Sequence, residues 1–198
     1  MVQTLVIDNN YNKECWAGVD YSMSCPALSI IDKDGNPISW YYLTQDKRYV
    51  GTFDDNINGA LVGGKHDFKT DIDRYDFISS YFIEVLSKYK KLQRLQLEGY
   101  SMGSRGGLIF NIAENTGILK YKLKLAKIEY DIPSPKTIKK FAADNGNANK
   151  DMMFESFNKK FNNSIDIMKN IGYTKSTIGN PISDIVDSYY LATYGLPQ

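Results

Sequence analysis

The chain has 198 residues, with 24 Lys and Arg against 23 Asp and Glu, a formal net charge of +1 and 42% hydrophobic residues. This suits one domain with a sizeable core and sets aside two classes: strongly charged disordered chains, and helical membrane proteins, since no apolar run approaches the ~20 residues a spanning helix needs. Two cysteines, Cys15 and Cys25, are too few for a disulfide framework or an ordinary zinc site and read as buried free thiols. Residues 1–8 lack a basic, long apolar leader, so the cytoplasm is the expected compartment.

In chain order, Cys15-Trp16-Ala17-Gly18-Val19-Asp20-Tyr21-Ser22 reads as a buried strand and Pro26-Ala27-Leu28-Ser29-Ile30-Ile31-Asp32 as a second. Asp34-Gly35-Asn36-Pro37 is a strong turn signal, and Ile38-Ser39-Trp40-Tyr41-Tyr42-Leu43 closes a three-strand meander. Residues 44–71, rich in Gly, Asp, Asn and Lys, read as a long loop or flap inserted into a single domain spanning 1–198. Apolar residues at Phe77, Ile78, Tyr81, Phe82, Val85, Leu86 and Tyr89 have helical spacing and predict a helix over 73–91. Leu92-Gln93-Arg94-Leu95-Gln96-Leu97-Glu98 alternates as a strand does, and Gly99 follows it. A helix is predicted over 104–116 with Gly117 as its stop, then a strand over 123–132. Lys120, Lys122, Lys124 and Lys127 read as an alternating exposed strand face. Helices over 135–143, 150–168 and 181–194 complete the chain. The order βββαβαβα describes an α/β fold, a mixed five-stranded sheet flanked by helices.

The last of these helices carries the most information. Asn180 suits its N-cap and Pro181 its first helical position. Asp184 and Asp187 lie three apart and so share one face, among the apolar residues Ile185, Val186, Tyr189, Tyr190 and Leu191. Two close carboxylates beside a core repel each other, and a hard divalent cation relieves that repulsion. Asp20 closes the first strand and Glu98 the fourth. If those strands are neighbours, the two acids meet at one end of the sheet and the final helix can lay its pair over them. Four such carboxylates make an oxygen-ligand site for Mg²⁺, with Mn²⁺ as a substitute, and two ions about 4 Å apart suit hydrolysis of a phosphodiester. Residues 120–175 hold 12 Lys against 6 Asp and Glu. A basic region next to a carboxylate cluster fits a phosphate-bearing polymer.

From about residue 15 to 195 the chain resembles the RuvC-type Holliday junction resolvases of the RNase H-like superfamily. Four segments carry the resemblance in the family's order: Gly18-Val19-Asp20; Leu97-Glu98-Gly99-Tyr100-Ser101-Met102; Ser134-Pro135-Lys136-Thr137-Ile138-Lys139-Lys140 followed by Asp144-Asn145-Gly146-Asn147-Ala148-Asn149-Lys150; and Asp184-Ile185-Val186-Asp187 with Leu191-Ala192. The resemblance implies a Mg²⁺-dependent endonuclease that cuts four-way and related branched DNA as a homodimer. Asp20, Glu98, Asp184 and Asp187 would hold two metal ions, and Lys150 would join them in catalysis. Lys139, Lys150, Lys136, Lys140, Arg105 and Tyr100 would contact DNA. Tyr21-Ser22-Met23 stands where the family has a Pro-Gly or similar turn. Ser101 stands where it often has an aromatic residue, with Tyr100 one position earlier. The abundance of Asn, Lys, Tyr and Ile suits an AT-rich genome such as a phage's.

Other readings compete residue by residue. Asp8, after Leu5-Val6-Ile7, is a rival to Asp20 but lacks the strand-turn-strand that follows it. Acids in a first turn can simply cap a helix, which accounts for Asp184 better than for Asp187. The lysines suit a solvated face, His66 sits in a Gly-rich loop, and Gly103-Ser104-Arg105-Gly106-Gly107 suits either close packing or a phosphate at a helix start. At the level of function, the same carboxylates would serve a nuclease acting on RNA–DNA hybrids or structured RNA. A binding module that has lost catalysis would not need all four acids. An actin-like ATPase would need a longer chain and a Gly-rich phosphate loop.

Overall fold

The computed structural model describes residues 11–53, 60–65, 67–100 and 108–197. The first three strands, β1 (Glu14–Asp20), β2 (Ala27–Ile31) and β3 (Pro37–Thr44), form the expected antiparallel meander. Their near-continuous burial follows from the layers on both faces of the sheet. Cys15, Ala17 and Val19 point into one core with Leu95, Leu97, Phe82, Val85, Leu119 and Leu123. Trp16, alternating with them, points into the other, with Trp40, Tyr42, Phe157, Ile185 and Tyr189. Both cysteines are free and buried.

Residues 44–71 differ from the expected loop. They contain β4 (Gly51–Phe53) and β5 (Ala60–Lys65), which extend the sheet beyond β3. Glycines disguised β5 in the sequence. Gly63 is required there because a Cβ would lie 2.4 Å from the Tyr49 carbonyl oxygen and 2.7 Å from Tyr42 Oη. The sheet thus has seven strands rather than five, in the order β4-β5-β3-β2-β1-β6-β7.

The helix α1 (Asp71–Lys88) is capped by Thr70, which accepts from Asp73 N at 3.1 Å, and carries Asp71 and Asp73 in its first turn. Strand β6 (Lys91–Leu97) then runs parallel to β1 with Val19 opposite Leu97. The next helix, α2 (Leu108–Leu125), does not stop at Gly117. The lysine segment predicted as a strand is the second half of this helix. Tyr121, Leu123 and Leu125 alternate with lysines in the sequence, but Leu119 and Leu123 are the buried positions, one helical turn apart. The helix ends at Leu125, and two residues on Lys127 lies in the left-handed region with φ 57°. The strand expected over 123–132 shrinks to β7 (Tyr130–Asp131), paired with β6.

Helix α3 (Pro135–Ala143) has the expected bounds, with Ser134 as its N-cap and Pro135 at its start. The helix expected over 150–168 is divided into α4 (Lys150–Lys160) and α5 (Ile167–Asn170). Helix α6 (Ile182–Tyr194) closes the fold, and its N-cap is Pro181 rather than Asn180, with no side-chain cap bond. It lies directly on β1. A Cβ at Gly18 would stand 2.2 Å from Ala192 N, 2.3 Å from Ser188 O and 2.7 Å from Leu191 Cβ. Beside it on β2, Ser29 Oγ and Ser188 Oγ share a buried hydrogen bond of 2.7 Å, and Ser29 is opposite Gly18 in the register. Small residues on both strands therefore let the helix approach the sheet.

Because the atoms facing Gly18 are largely helix backbone, Gly18→Ala cannot be absorbed by a rotamer change. It should lower the free energy of unfolding by about 1–3 kcal/mol, read as a lower urea midpoint. An unchanged midpoint would mean that α6 can lift off β1 at no cost.

Candidate active site

Alternation places Trp16, Gly18 and Asp20 on the α6 face of β1. On β6, Leu95 and Leu97 face the opposite core, so Gln96 and Glu98 share the α6 face. The Glu98 amide donates to the Val19 carbonyl at 3.0 Å, continuing the ladder one residue past β6. Asp20 and Glu98 therefore stand side by side at the ends of adjacent parallel strands, and their carboxyls are close enough to share a hydrogen bond. The first turns of α6 lie above them and supply Asp184 and Asp187. Asp20 is 6% exposed and Asp184 5%, while Asp187 and Glu98 are half-buried.

Burial raises the proton affinity of all four groups, and the charges of neighbouring carboxylates add to it for Asp20, Glu98 and Asp184. For Asp20 the causes are burial first, then the charges of Glu98, Asp184 and Asp187. Glu98 is pushed up to about 7 by burial and by Asp187. Asp184 is pushed up to about 7 by burial, against the pull of Lys150, and Asp187 to about 6 by burial, against Lys139 and Lys150. Among the described residues, Lys139 and Lys150 are thus cations that act on the cluster. Neither makes a direct ion pair with these carboxylates among the described residues. Lys150 Nζ donates instead to Asn180 Oδ1 at 3.2 Å and Ser183 Oγ at 3.1 Å. Asp184 receives Ser22 Oγ on Oδ1 at 3.3 Å and Ser183 Oγ on Oδ2 at 3.2 Å.

An all-oxygen set of four acids, facing two lysines, carries more negative charge than its protein neighbours cancel. That is the donor chemistry of a hard divalent cation. Among the described residues, no three Asp, Glu, His or Cys side chains are already closed around one point.

The other expected contacts lie farther out. Lys140 pairs with Asp144 at 2.5 Å beyond the end of α3, and the Lys136 stem packs over Gly146. Tyr100 is exposed, with Lys120 Nζ 4.9 Å above its ring. Asp8, His66, Ser101 and the segment with Gly103, Ser104, Arg105, Gly106 and Gly107 lie outside the described residues. Sequence reasoning missed Ser22 and Ser183 and gave Asn180 a different part. Their signal was faint: short polar residues next to acids in an otherwise apolar stretch.

The fold is the RuvC-like RNase H fold. The Thermus thermophilus RuvC structure matches with a TM-score of 0.57 at 12% identity, over 90% of this chain and 92% of that one. The T. thermophilus RuvC in complex with Holliday junction substrate matches with a TM-score of 0.55 at 10% identity, over 90% of both chains. The yeast mitochondrial Holliday junction resolvase matches with a TM-score of 0.57 at 15% identity, over 94% of this chain and 79% of that one. No family model matches the sequence, and a sequence search finds no similar protein of curated function.

Carboxyls whose proton affinity is raised by folding favour the native state while protonated, and that contribution is lost as pH rises through their native values. In EDTA, thermal stability should therefore fall between about pH 4 and 7, the interval from ordinary carboxyl values to those of Glu98 and Asp184. Asp187→Asn removes one of the repelling charges and should flatten this slope, measured by thermal denaturation across that range. An equal slope in both proteins would contradict the mutual repulsion.

Proposed function

We propose that this protein is a metal-dependent, structure-selective DNA endonuclease that resolves four-way and related branched junctions by hydrolysing phosphodiester bonds. The observation that carries the reading is the gathering of Asp20, Glu98, Asp184 and Asp187 from three elements at one end of the sheet, with Lys139 and Lys150 acting on them. The shared fold supports it, since the similar structures are of Holliday junction resolvases and one holds a Holliday junction substrate.

Asp20, Glu98, Asp184 and Asp187 would hold two Mg²⁺ ions, or Mn²⁺ in their place, which supply an activated water and a stabilised leaving oxygen for in-line displacement. The chain's own residues do the rest. Lys139 and Lys150 present compact positive charge to the phosphate as it arrives. Lys136, Lys140, Arg105 and Tyr100 would extend the contact along the DNA. Ser22 and Ser183 orient Asp184 through its two oxygens. The cover of α6 limits water around the carboxylates and strengthens their interactions. The products would carry 5′-phosphate and 3′-hydroxyl ends.

A junction has near two-fold symmetry, and paired cuts need two sites related by the same symmetry. The reading therefore includes a homodimer. Helix α2 offers a surface for it, because Phe110 is 69%, Tyr121 63% and Leu125 64% exposed along one face. Among the described residues nothing lies within 4 Å of a Cβ built on Gly117, on the same face. In an antiparallel pairing of two copies centred at the level of residue 119, Tyr121 of each would stand opposite Gly117 of the other and Glu114 opposite Lys124. Among the described residues no helix is long and apolar enough to cross a membrane.

The deciding experiment incubates the protein with end-labelled four-way junction, linear duplex and RNA–DNA hybrid, in Mg²⁺ or EDTA, beside Asp187→Asn. Paired symmetric nicks in the junction alone are expected, abolished by EDTA and slowed at least about 10²-fold in the variant. Cleavage of the hybrid instead would move the protein to the RNase H class, and tight junction binding without cutting would make it a binding module. Separately, Tyr121→Glu should convert a dimer to a folded monomer in sedimentation equilibrium. A wild-type monomer at micromolar concentration would remove the dimer from the reading.

A further inference from the structure

Lys150 stands at the exposed start of α4, on a flexible stem that loses rotamer freedom when it is immobilised. Its ammonium does not lie free. Asn180 Oδ1 accepts from it at 3.2 Å and Ser183 Oγ at 3.1 Å. Asn180 is itself anchored, since its Nδ2 donates to Ser24 Oγ at 3.2 Å in the turn between β1 and β2. The amide can serve in only one orientation. Turned over, it would aim an NH₂ group at an ammonium. One side chain thus ties together the turn after Asp20, the lysine on α4 and the first turn of α6.

Ser183 adds a second property. Its single hydroxyl hydrogen has two acceptors within reach, Asn180 Oδ1 at 3.1 Å and Asp184 Oδ2 at 3.2 Å. When Asp184 Oδ2 is engaged by a cation, the hydroxyl can turn to Asn180 and keep a partner. No buried donor is then left unsatisfied, which would otherwise oppose the change.

We infer that Asn180 is a positioning residue of this site: its side-chain carbonyl holds the Lys150 ammonium beside Asp184 and Asp187, ready for a phosphate, and receives the Ser183 hydroxyl when Asp184 takes up a cation. The inference rests on the nuclease reading for its consequence, and on the hydrogen bonds alone for the hold on Lys150.

Two measurements on the full-length protein separate these. In EDTA, brief acetylation followed by mass spectrometry reports the reactivity of Lys150 against that of the exposed Lys136. Asn180→Ala should raise Lys150 reactivity about tenfold, the scale of one lost hydrogen bond to a charged group. Asn180→Asp, which keeps an acceptor oxygen, should leave Lys150 protected. In Mg²⁺ with saturating junction, Asn180→Ala should cleave about 10- to 100-fold more slowly while its junction Kd stays within about twofold. Equal Lys150 reactivity in wild type and Asn180→Ala would overturn the inference even if cleavage slowed. So would weaker junction binding with an unchanged rate at saturation. If the wild type cuts no junction while the acetylation pattern holds, the positioning role stands and only the nuclease reading falls.

Discussion

The approach of α6 to β1 at Gly18 is the contact on which the site depends. Helix backbone sits where any side chain at that position would have to go, and Ser29 and Ser188 close the neighbouring space with a buried hydrogen bond. Along the same helix, Ile182, Ile185, Val186, Tyr189 and Leu191 are fully buried, and burial of such side chains is worth about 1.5–3 kcal/mol each. That apolar docking holds the first turns of α6 against the ends of β1 and β6. Asp184 and Asp187 are carried to Asp20 and Glu98 by packing, since the charges themselves oppose the approach.

The site is therefore a place where the fold works against local preference. Each carboxyl is pushed up by burial, and Asp20, Glu98 and Asp184 by neighbouring charges as well, and Lys139 and Lys150 cancel only part of that. Clusters of this kind are found where function needs them, with stability drawn from elsewhere in the molecule. The two cores on either face of the sheet are that source here. The hydroxyls of Ser22 and Ser183 and the amide of Asn180 give the cluster order that the acids alone could not provide.

The added strands β4 and β5 lie at the far edge of the sheet from β6 and β7. Strand β5 runs parallel to β3, with Leu43 opposite Gly64 and Thr44 opposite Lys65, so it ends at the same level as the carboxylates. Helices α3 and α4 both pack on α6, and α4 reaches over β3, where the Phe157 ring lies 6.5 Å from that of Trp40. The strands that carry Asp20 and Glu98 thus have four strands on one side and the short β7 alone on the other.

Much of this was legible in the residues. The meander, α1, β6 and α3 follow from local patterns with short-range causes: alternation, helical spacing, a Thr or Ser cap and a proline. The four acids stood out because each sits at the end of an apolar element, where a charge has no packing reason to be. The lysine-rich half of α2 was misread because alternation of Lys with Tyr and Leu fits either period when only a few residues are considered. Which apolar residues are buried depends on α1 and the sheet. Strand β5 was hidden by its glycines, and the purpose of Gly63, clearance for Tyr42 and Tyr49, exists only in the folded chain. Asn180 and Ser183 showed the same limit. The sequence by itself determined the types of β1 to β3, α1, β6, α3 and α6, the two-sided core and the acids that carry charge into it. The tertiary structure alone decided the seven-strand order and the hydrogen-bond partners of Lys150 and Asp184, because these arise between groups far apart in the chain and have no local signature.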